Sequence, residues 1–533
     1  MNFGIDFGTT NTAISRMDGD EPVALTFGPA DQQHHYVPSV MALRGGLRPS
    51  EQYGHAAKDR VGEPGFEVYQ NFKMLLGEPP ARVAAHWGGG LSQTPEAITQ
   101  RFIARLLEQM KTEHGLRPAR VVVTVPEVWL VQNLQTKREH LIEGFKRQGI
   151  GRVEVRSEPV AAATYYLHSF KKKKGHPFQG HLLVCDCGGG TLDFCLVGVE
   201  PGAAGRPRMT VLERAGNGIV NGRIGSAGVA FDQAVVDRLF PGLRGRDPER
   251  YFRRVREFEQ HKITHSPAVS ENLALHRETP EAAEGERLFS LDDGEVSVEP
   301  QHLAEAFAAV SESAIREALD DLLARIRTHA VALEDPSKFR VLMVGGFSSF
   351  WLVSAAIKDA FGRVLSTDQR FEEVLSLADR ALAISKGAAL LANDLAEIVE
   401  TCPADVGVQG FVQDKDGGLQ RVRFAILRKT VRIRDYRQPV WSSQAFLVVS
   451  TEIRLPVYVE PIPDKPLPLE IGGETLQAIL PAGLGVGSRI EIGFSVDQNL
   501  VFSIHVRDAK NKSQEKTTTL GNVMARLPAL IVD

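Results

Sequence analysis

Two short segments concentrate residues able to grip an anion. Asp6, Gly8, Thr9 and Thr10 stand in FGIDFGTTNTAI, and Asp186, Gly188, Gly189, Gly190, Thr191 and Asp193 in LVCDCGGGTLDFCLV. Each run reads as an apolar strand, an aspartate, a glycine-rich turn with threonine, and a second apolar strand. Backbone N–H groups and hydroxyls in such a turn can face a phosphate, and glycine lets the chain come close to it. The three consecutive glycines of the second turn remove the side chains that would block that approach. A glycine-rich turn with a surface aspartate accounts for either segment alone. The same pattern twice in one chain points to two turns closing on one polyphosphate. Asp6 and Asp186 would then lie near the accompanying cation, through water, because Mg²⁺ keeps most of its hydration shell and uses few carboxylates.

Elements able to position these turns surround them. Thr94, Pro95 and Glu96 form a helix start ahead of a periodic segment that ends near Gly115, and a longer helical pattern covers residues 299–330. Residues 120–125 read as a buried strand ending in Pro126, residues 340–344 as a strand running into Gly345 and Gly346, and residues 377–398 as a helical stretch. Strands alternating with helices to about residue 395 predict an α/β domain. Beyond Ala404 short alternating runs take over, at residues 422–427, 444–450, 489–496 and 500–506. Asp497, Gln498 and Asn499 suit a hairpin turn between the last two, while Pro and Gly cluster in connections at 461–468 and 481–487. A β-sandwich of roughly 130 residues is expected there. The junction carries Ile398 and Val399 and is unlike a flexible Gly/Ser tether, so conformational coupling of the two domains is expected.

Composition excludes several classes. With 533 residues the chain is long for one core, so two or three domains are expected. A net charge of −4, with the lysine run at 171–174 as its longest basic block, disfavours a nucleic-acid partner. No apolar run approaches a bilayer span and the N-terminus has no signal-peptide pattern, which predicts a cytoplasmic protein without a membrane partner. Three of the four cysteines, Cys185, Cys187 and Cys195, fall in one apolar strand pair, and Cys402 stands apart. Their number fits a reducing compartment, and no second Cys or His pair at zinc spacing follows them. His34 with His35 and His261 with His265 read as surface or capping residues, and the lysine run as a solvated loop.

In their order, the motifs resemble those of the Hsp70 family, within the superfamily of two-lobed ATPases that includes actin and sugar kinases. GIDFGTTNT is similar to that family's first phosphate loop, VCDCGGGTLDF to its second, and VLMVGGFSS to the start of its adenosine-contacting strand and turn. TVPEVW resembles the segment holding its allosteric proline, here Pro126. SEPVAAA resembles its Glu-Pro helix start, here Glu158, and NFKMLLG the stretch with its catalytic lysine, here Lys73. The likeness covers most of residues 2–395 and, more weakly, the last strands of the β-domain in RIEIGFSVDQNLVFSIHVRDAKNKSQEKTTT.

This resemblance implies an α/β two-lobed actin/Hsp70-type ATPase domain over residues 1–392, a linker at 393–401 and an all-β sandwich that binds peptide over 402–533. It implies ATP/ADP and Mg²⁺ as ligands and slow ATP hydrolysis. Gly8, Thr9, Thr10, Asn11, Gly188, Gly189, Gly190 and Thr191 would hold the phosphates, and Glu259, Lys262, Ser266, Gly345, Gly346 and Phe347 the adenosine. Lys73 would orient the attacking water while Asp193 or Asp186 accepts its proton. The implied partners are extended or unfolded polypeptide, with a J-domain cochaperone and a nucleotide exchange factor as candidates. The chain ends soon after the β-domain, so a helical lid is expected to be absent and peptide release fast.

Several positions depart from the family pattern. In FEQHKITHS, Ile263 stands where an arginine would lie on the adenine face, which removes a stacking cation. Phe347 replaces a small polar residue, and its ring is expected to cover the base. AGVAFD at 227–232 lacks two acidic groups of the family motif, and a modest ATP affinity is expected. These departures keep a second reading open, a non-enzymatic nucleotide-dependent sensor or scaffold with a dedicated protein partner. A small-molecule kinase on the same fold leaves the β-domain without a purpose, and so does an actin-like filament.

Overall fold

The computed structural model describes the chain apart from residues 47–48, 88–91, 132–134, 218, 221–222, 226, 284, 293, 327–328, 330, 363–373, 403, 414–417, 430, 451–455, 463–464, 469, 472–473, 476–479, 498–500 and 522–533. It divides into two compact units. One holds Met1–Val128, Thr136–Pro207 and Arg214–Glu397, the other Trp129–Gln135, Arg208–Glu213 and Ile398–Asp533.

The first unit is mixed α/β and repeats one device. Strands Asn2–Phe7 and Asn11–Asp18 form an antiparallel hairpin in which Asp6 faces Ala13, and Asn2–Phe7 pairs in parallel with Arg120–Val125. Arg120–Val125 continues in parallel to Arg152–Ser157. All six residues of Arg120–Val125 are buried, as a central parallel strand covered on both faces requires. In the second sheet, Gly180–Cys187 and Leu192–Pro201 form the corresponding hairpin with Asp186 opposite Asp193, and Phe339–Val344 runs parallel beside it. The duplicated pattern in the sequence is thus a duplicated hairpin, each with a parallel strand along its first member.

Helices cover these sheets. Glu158–Lys174 begins on Ser157, whose hydroxyl accepts the Val160 N–H at 3.3 Å, and ends at left-handed Gly175. Leu377–Ala392 begins on Ser376 in the same way. The two helices are joined by Asp379, which accepts from Tyr165 at 2.8 Å and pairs with Lys386 at 2.9 Å.

Among the described residues the second unit holds two larger antiparallel sheets and the short antiparallel pair Glu470–Ile471 with Glu474–Thr475. One has the order Leu419–Leu427, Asp405–Gln413, Val457–Ile462, Lys465–Pro468. The other runs Val440–Trp441, Arg489–Val496, Phe502–Asp508, Glu515–Gly521, with Phe446–Leu447 also on Arg489–Val496. Val406, Val408 and Val459 of the first sheet and Ile492, Phe494, Phe502 and Ile504 of the second belong to one buried cluster. The period-2 alternation from Ile490 to Val496 sends those apolar residues inward.

Local structure departs from the sequence expectations at several points. The lysine run at 171–174 is the last turn of a helix, not a loop, where four cations complement the helix's negative end. The pattern at 299–330 breaks into Pro300–Phe307, a π-helical turn at Ala308–Glu312, and Ser313–Ile326, while Ala330 lies outside the described residues. The 377–398 stretch ends at Ala392, and Glu397–Glu400 is a strand. Residues 461–468 contribute to two strands despite their prolines, because Lys465–Pro468 is an edge strand and the pairing shifts register between Val459 and Ile462. Within 444–450 only Phe446–Leu447 pairs as a strand. Gln498 and Asn499 of the expected hairpin turn lie outside the described residues.

Candidate functional site

The two glycine-rich turns meet tip to tip in the first unit. A Cβ placed on Gly189 would stand 2.5 Å from Thr10 Cγ2, and one on Gly190 2.5 Å from Thr9 Oγ1. Any side chain at either position would force the turns apart, so the glycines are demanded by this approach. The first turn is braced by Ser39, whose hydroxyl donates to the Gly8 carbonyl at 2.8 Å and whose N–H donates to the Thr10 carbonyl at 2.8 Å. The second is closed by the Gly188 N–H on the Thr191 carbonyl at 3.0 Å. Asn11 opens the second strand of the first hairpin.

Three carboxylates lie behind the turns. Asp193 is fully buried and its Oδ1 accepts the Val128 N–H at 3.0 Å. Asp186 is buried too, and the Oδ2 atoms of both residues have no hydrogen-bond partner. Burial pushes the Asp6 carboxyl up to about 7, with Glu158 adding to the rise and Lys73 and Thr124 opposing it. Burial, then Glu158, also raises Asp186 and Asp193 well above the ordinary carboxylate range. Such a concentration of buried acid is what a bound cation would relieve. Among the described residues no group of three or more His, Cys, Asp or Glu is placed to hold a metal directly.

Lys73 is 1% exposed, on the one-turn helix Phe72–Leu75, and its Nζ lies 2.6 Å from Glu158 Oε1. Glu158 occupies the first turn of its helix, where a carboxylate is favoured by the dipole. Pro126 is followed by fully buried Glu127, which pairs with Arg214. Strand end, proline, ion pair and the Val128 N–H therefore stand in sequence beside Asp193.

Gly345 follows the edge strand Phe339–Val344 with φ 83°, and any Cβ there would collide with Asp186 Oδ1. Phe347 is buried, stacked on Phe350 with ring centroids 5.8 Å apart. Lys262, on the helix Pro248–Thr264, pairs with Asp232, while Glu259 one turn earlier pairs with Lys58 at 2.7 Å. Ser266 begins the following helix, Ser266–Glu278. Ile263 is 63% exposed. His261 and His265 stack on Phe289 at 5.4 and 5.7 Å, and all four cysteines are buried thiols outside any disulfide.

Sequence reasoning did not pair Lys73 with Glu158, Lys262 with Asp232, or Glu127 with Arg214. Their separations exceed any local period. The one available signal was a charged residue inside an otherwise apolar run, as at Lys73 in NFKMLLG and Glu127 in TVPEVW.

Comparison with known proteins follows the same lines. A family model described as Hsp70 protein matches residues 2–524. The chain is similar to the chaperone protein DnaK of Mycoplasmopsis pulmonis (strain UAB CTIP), with 25% identity over 530 residues, covering 96% of this chain and 78% of that protein. It is also similar to the chaperone protein dnaK of Cyanidioschyzon merolae (strain NIES-3377 / 10D), with 23% identity over 557 residues, covering 97% and 81%.

Proposed function

The chain belongs to the Hsp70 family, and from that premise we propose that it is a chaperone that binds and slowly hydrolyses ATP in its first unit and couples this to extended polypeptide held by its second. The observation that carries this reading is the tip-to-tip meeting of the two turns at Gly189 with Thr10 and Gly190 with Thr9, with Lys73 buried and close enough to Asp6 and Asp186 to oppose the rise of both carboxyls. Backbone amides of both turns, with Thr9, Thr10 and Thr191, take the β- and γ-phosphates. Lys73 orients the attacking water and stabilises charge on the transferring phosphoryl group. Asp193, held by the Val128 N–H, keeps its Oδ2 available to accept the proton, with Asp186 as the alternative acceptor. Asp6 and Asp186 fit a hydrated Mg²⁺, since their buried acid disfavours ionisation without a cation. When bound, that ion offsets phosphate charge.

Pro126 and Glu158 relay the state of the site, since Pro126 adjoins the segment that holds Asp193 and Glu158 holds Lys73. The division of the chain at Glu397 and Ile398 supports an ATPase domain over 1–392, a linker at 393–401 and a peptide-binding domain from 402. The single core shared by both larger sheets of the second unit supports reading it as a β-sandwich. Among the described residues no helix is long and apolar enough to cross a membrane. A J-domain cochaperone and a nucleotide exchange factor are candidate partners.

The deciding experiment measures steady-state ATP turnover at saturating Mg²⁺, with and without excess unfolded polypeptide. Slow turnover that polypeptide accelerates is the expected result. Nucleotide binding without turnover under both conditions would establish a sensor or scaffold instead.

A further inference from the structure

The side of the phosphate clamp next to Phe347 is closed by the protein's own side chains. The first turn of the helix Gly228–Leu239 is bonded to the second glycine-rich turn, Gly228 N–H to the Gly188 carbonyl at 3.2 Å and Val229 N–H to the Gly189 carbonyl at 2.8 Å. A Cβ on Gly228 would lie 3.6 Å from both Gly189 Cα and Phe347 Cγ, so the Phe347 ring borders the clamp itself. At Gly346 an added Cβ would meet nothing within 4 Å, which leaves the path past this turn open. A nucleoside extending from the phosphates on this side therefore passes Gly346 and meets the Phe347 wall.

That wall has little left with which to read a base. Phe347 is 5% exposed and packs with Phe350 and Phe231, which also touch each other at 5.0 Å, so little of its ring is accessible for stacking. Lys262 is held by Asp232, and its Nζ stands 5.6, 5.9 and 5.9 Å from the ring centres of Phe231, Phe258 and Phe347. Its charge is directed into an aromatic and carboxylate cage. Glu259 is engaged by Lys58, and Ile263 presents an aliphatic side chain. Ser266, which the family resemblance assigns to the adenosine and which begins the next helix, carries a hydroxyl that both donates and accepts and so pairs with any base edge.

Resting on the nucleotide reading above, we infer that this clamp selects a nucleoside triphosphate by its phosphates and is indifferent to the base, with Phe347 as the residue that closes the base side. Strong discrimination between bases arises when a wrong base leaves buried donors or acceptors unpaired. Here the charged groups of the wall are already paired with one another, and exchanging adenine for guanine leaves none of them unsatisfied. An apolar wall discriminates by shape alone, far less than a hydrogen-bonding one.

The test is displacement of a fluorescent ATP analogue from the full chain by the Mg²⁺ salts of ATP, GTP, CTP, UTP and inorganic tripolyphosphate. Affinities within about 10-fold of one another are expected for all five. ATP binding more than about 100-fold tighter than GTP overturns the inference and leaves the nucleotide reading standing. Failure of every ligand to displace the analogue overturns both. The Phe347→Ala variant opens the wall and is expected to raise the affinity of nucleotides relative to tripolyphosphate. An unchanged ratio in a variant that melts like the wild type overturns the role given to Phe347, and if the variant does not fold, the wild-type panel decides alone.

Discussion

Lys73 and Glu158 are a buried pair with two separable consequences. Removing one partner strands the other charge in a dry site, which costs about 3–5 kcal/mol, whereas replacing both costs much less. Hydrolysis, in the reading proposed above, needs the lysine and not the pair. Lys73→Met is therefore expected to lower the melting temperature and reduce single-turnover hydrolysis by about 100-fold or more. The double variant Lys73→Met with Glu158→Gln should recover most of the stability and none of the turnover. Thermal unfolding beside single-turnover kinetics checks this, and a double variant that regained turnover would remove Lys73 from the chemistry.

At the scale of elements, the helices Glu158–Lys174 and Leu377–Ala392 are tied together through Asp379. Burial raises the Asp379 pKa, but hydrogen bonds from Lys386, Ser376 and Tyr165 outweigh it and bring the group from 3.8 down to about 2. A carboxylate lowered in the folded state stabilises the fold above its unfolded pKa, and that contribution is lost as pH falls through the folded value. Asp379→Asn should accordingly lower stability at neutral pH, with the gap from the wild type closing between about pH 4 and pH 2. Urea unfolding across that window measures it, and a gap of the same size at both ends would discard the account. The start of the first of these helices was readable, since Ser157-Glu158-Pro159 is a local pattern with a local cause. So were both hairpins, because strand, aspartate and glycine turn recur within about fifteen residues each. The fate of 171–174 was not, because a run of lysines looks the same in a loop and in a last helical turn until the helix reaching it is known. Nor were the strands among Pro461, Pro466 and Pro468, whose place depends on which strand lies at the sheet edge. In the candidate site the two glycine-rich turns were legible and the ion pairs were not. Glycine spacing is a property of one segment, while Lys73 and Glu158 are brought together by the fold from 85 positions apart.

The molecule as a whole comprises two units whose stabilities have different sources. Phe494 is fully buried in the cluster shared by both larger sheets of the second unit, and Phe494→Ala removes a large side chain from a packed interior at a cost of about 3–5 kcal/mol. In the reading proposed above, a nucleotide held by the glycine-rich turns would instead stabilise the first unit by mass action, by about 2.7 kcal/mol at a hundredfold excess over Kd. Calorimetry of the intact chain should then show two transitions, one raised by Mg²⁺-ATP and insensitive to Phe494→Ala, the other lowered by the substitution. If the substitution instead lowered the nucleotide-sensitive transition by the same amount, the units would unfold as one. The coupling proposed between ATP and polypeptide would then run through shared stability and not through a shift between two folded states.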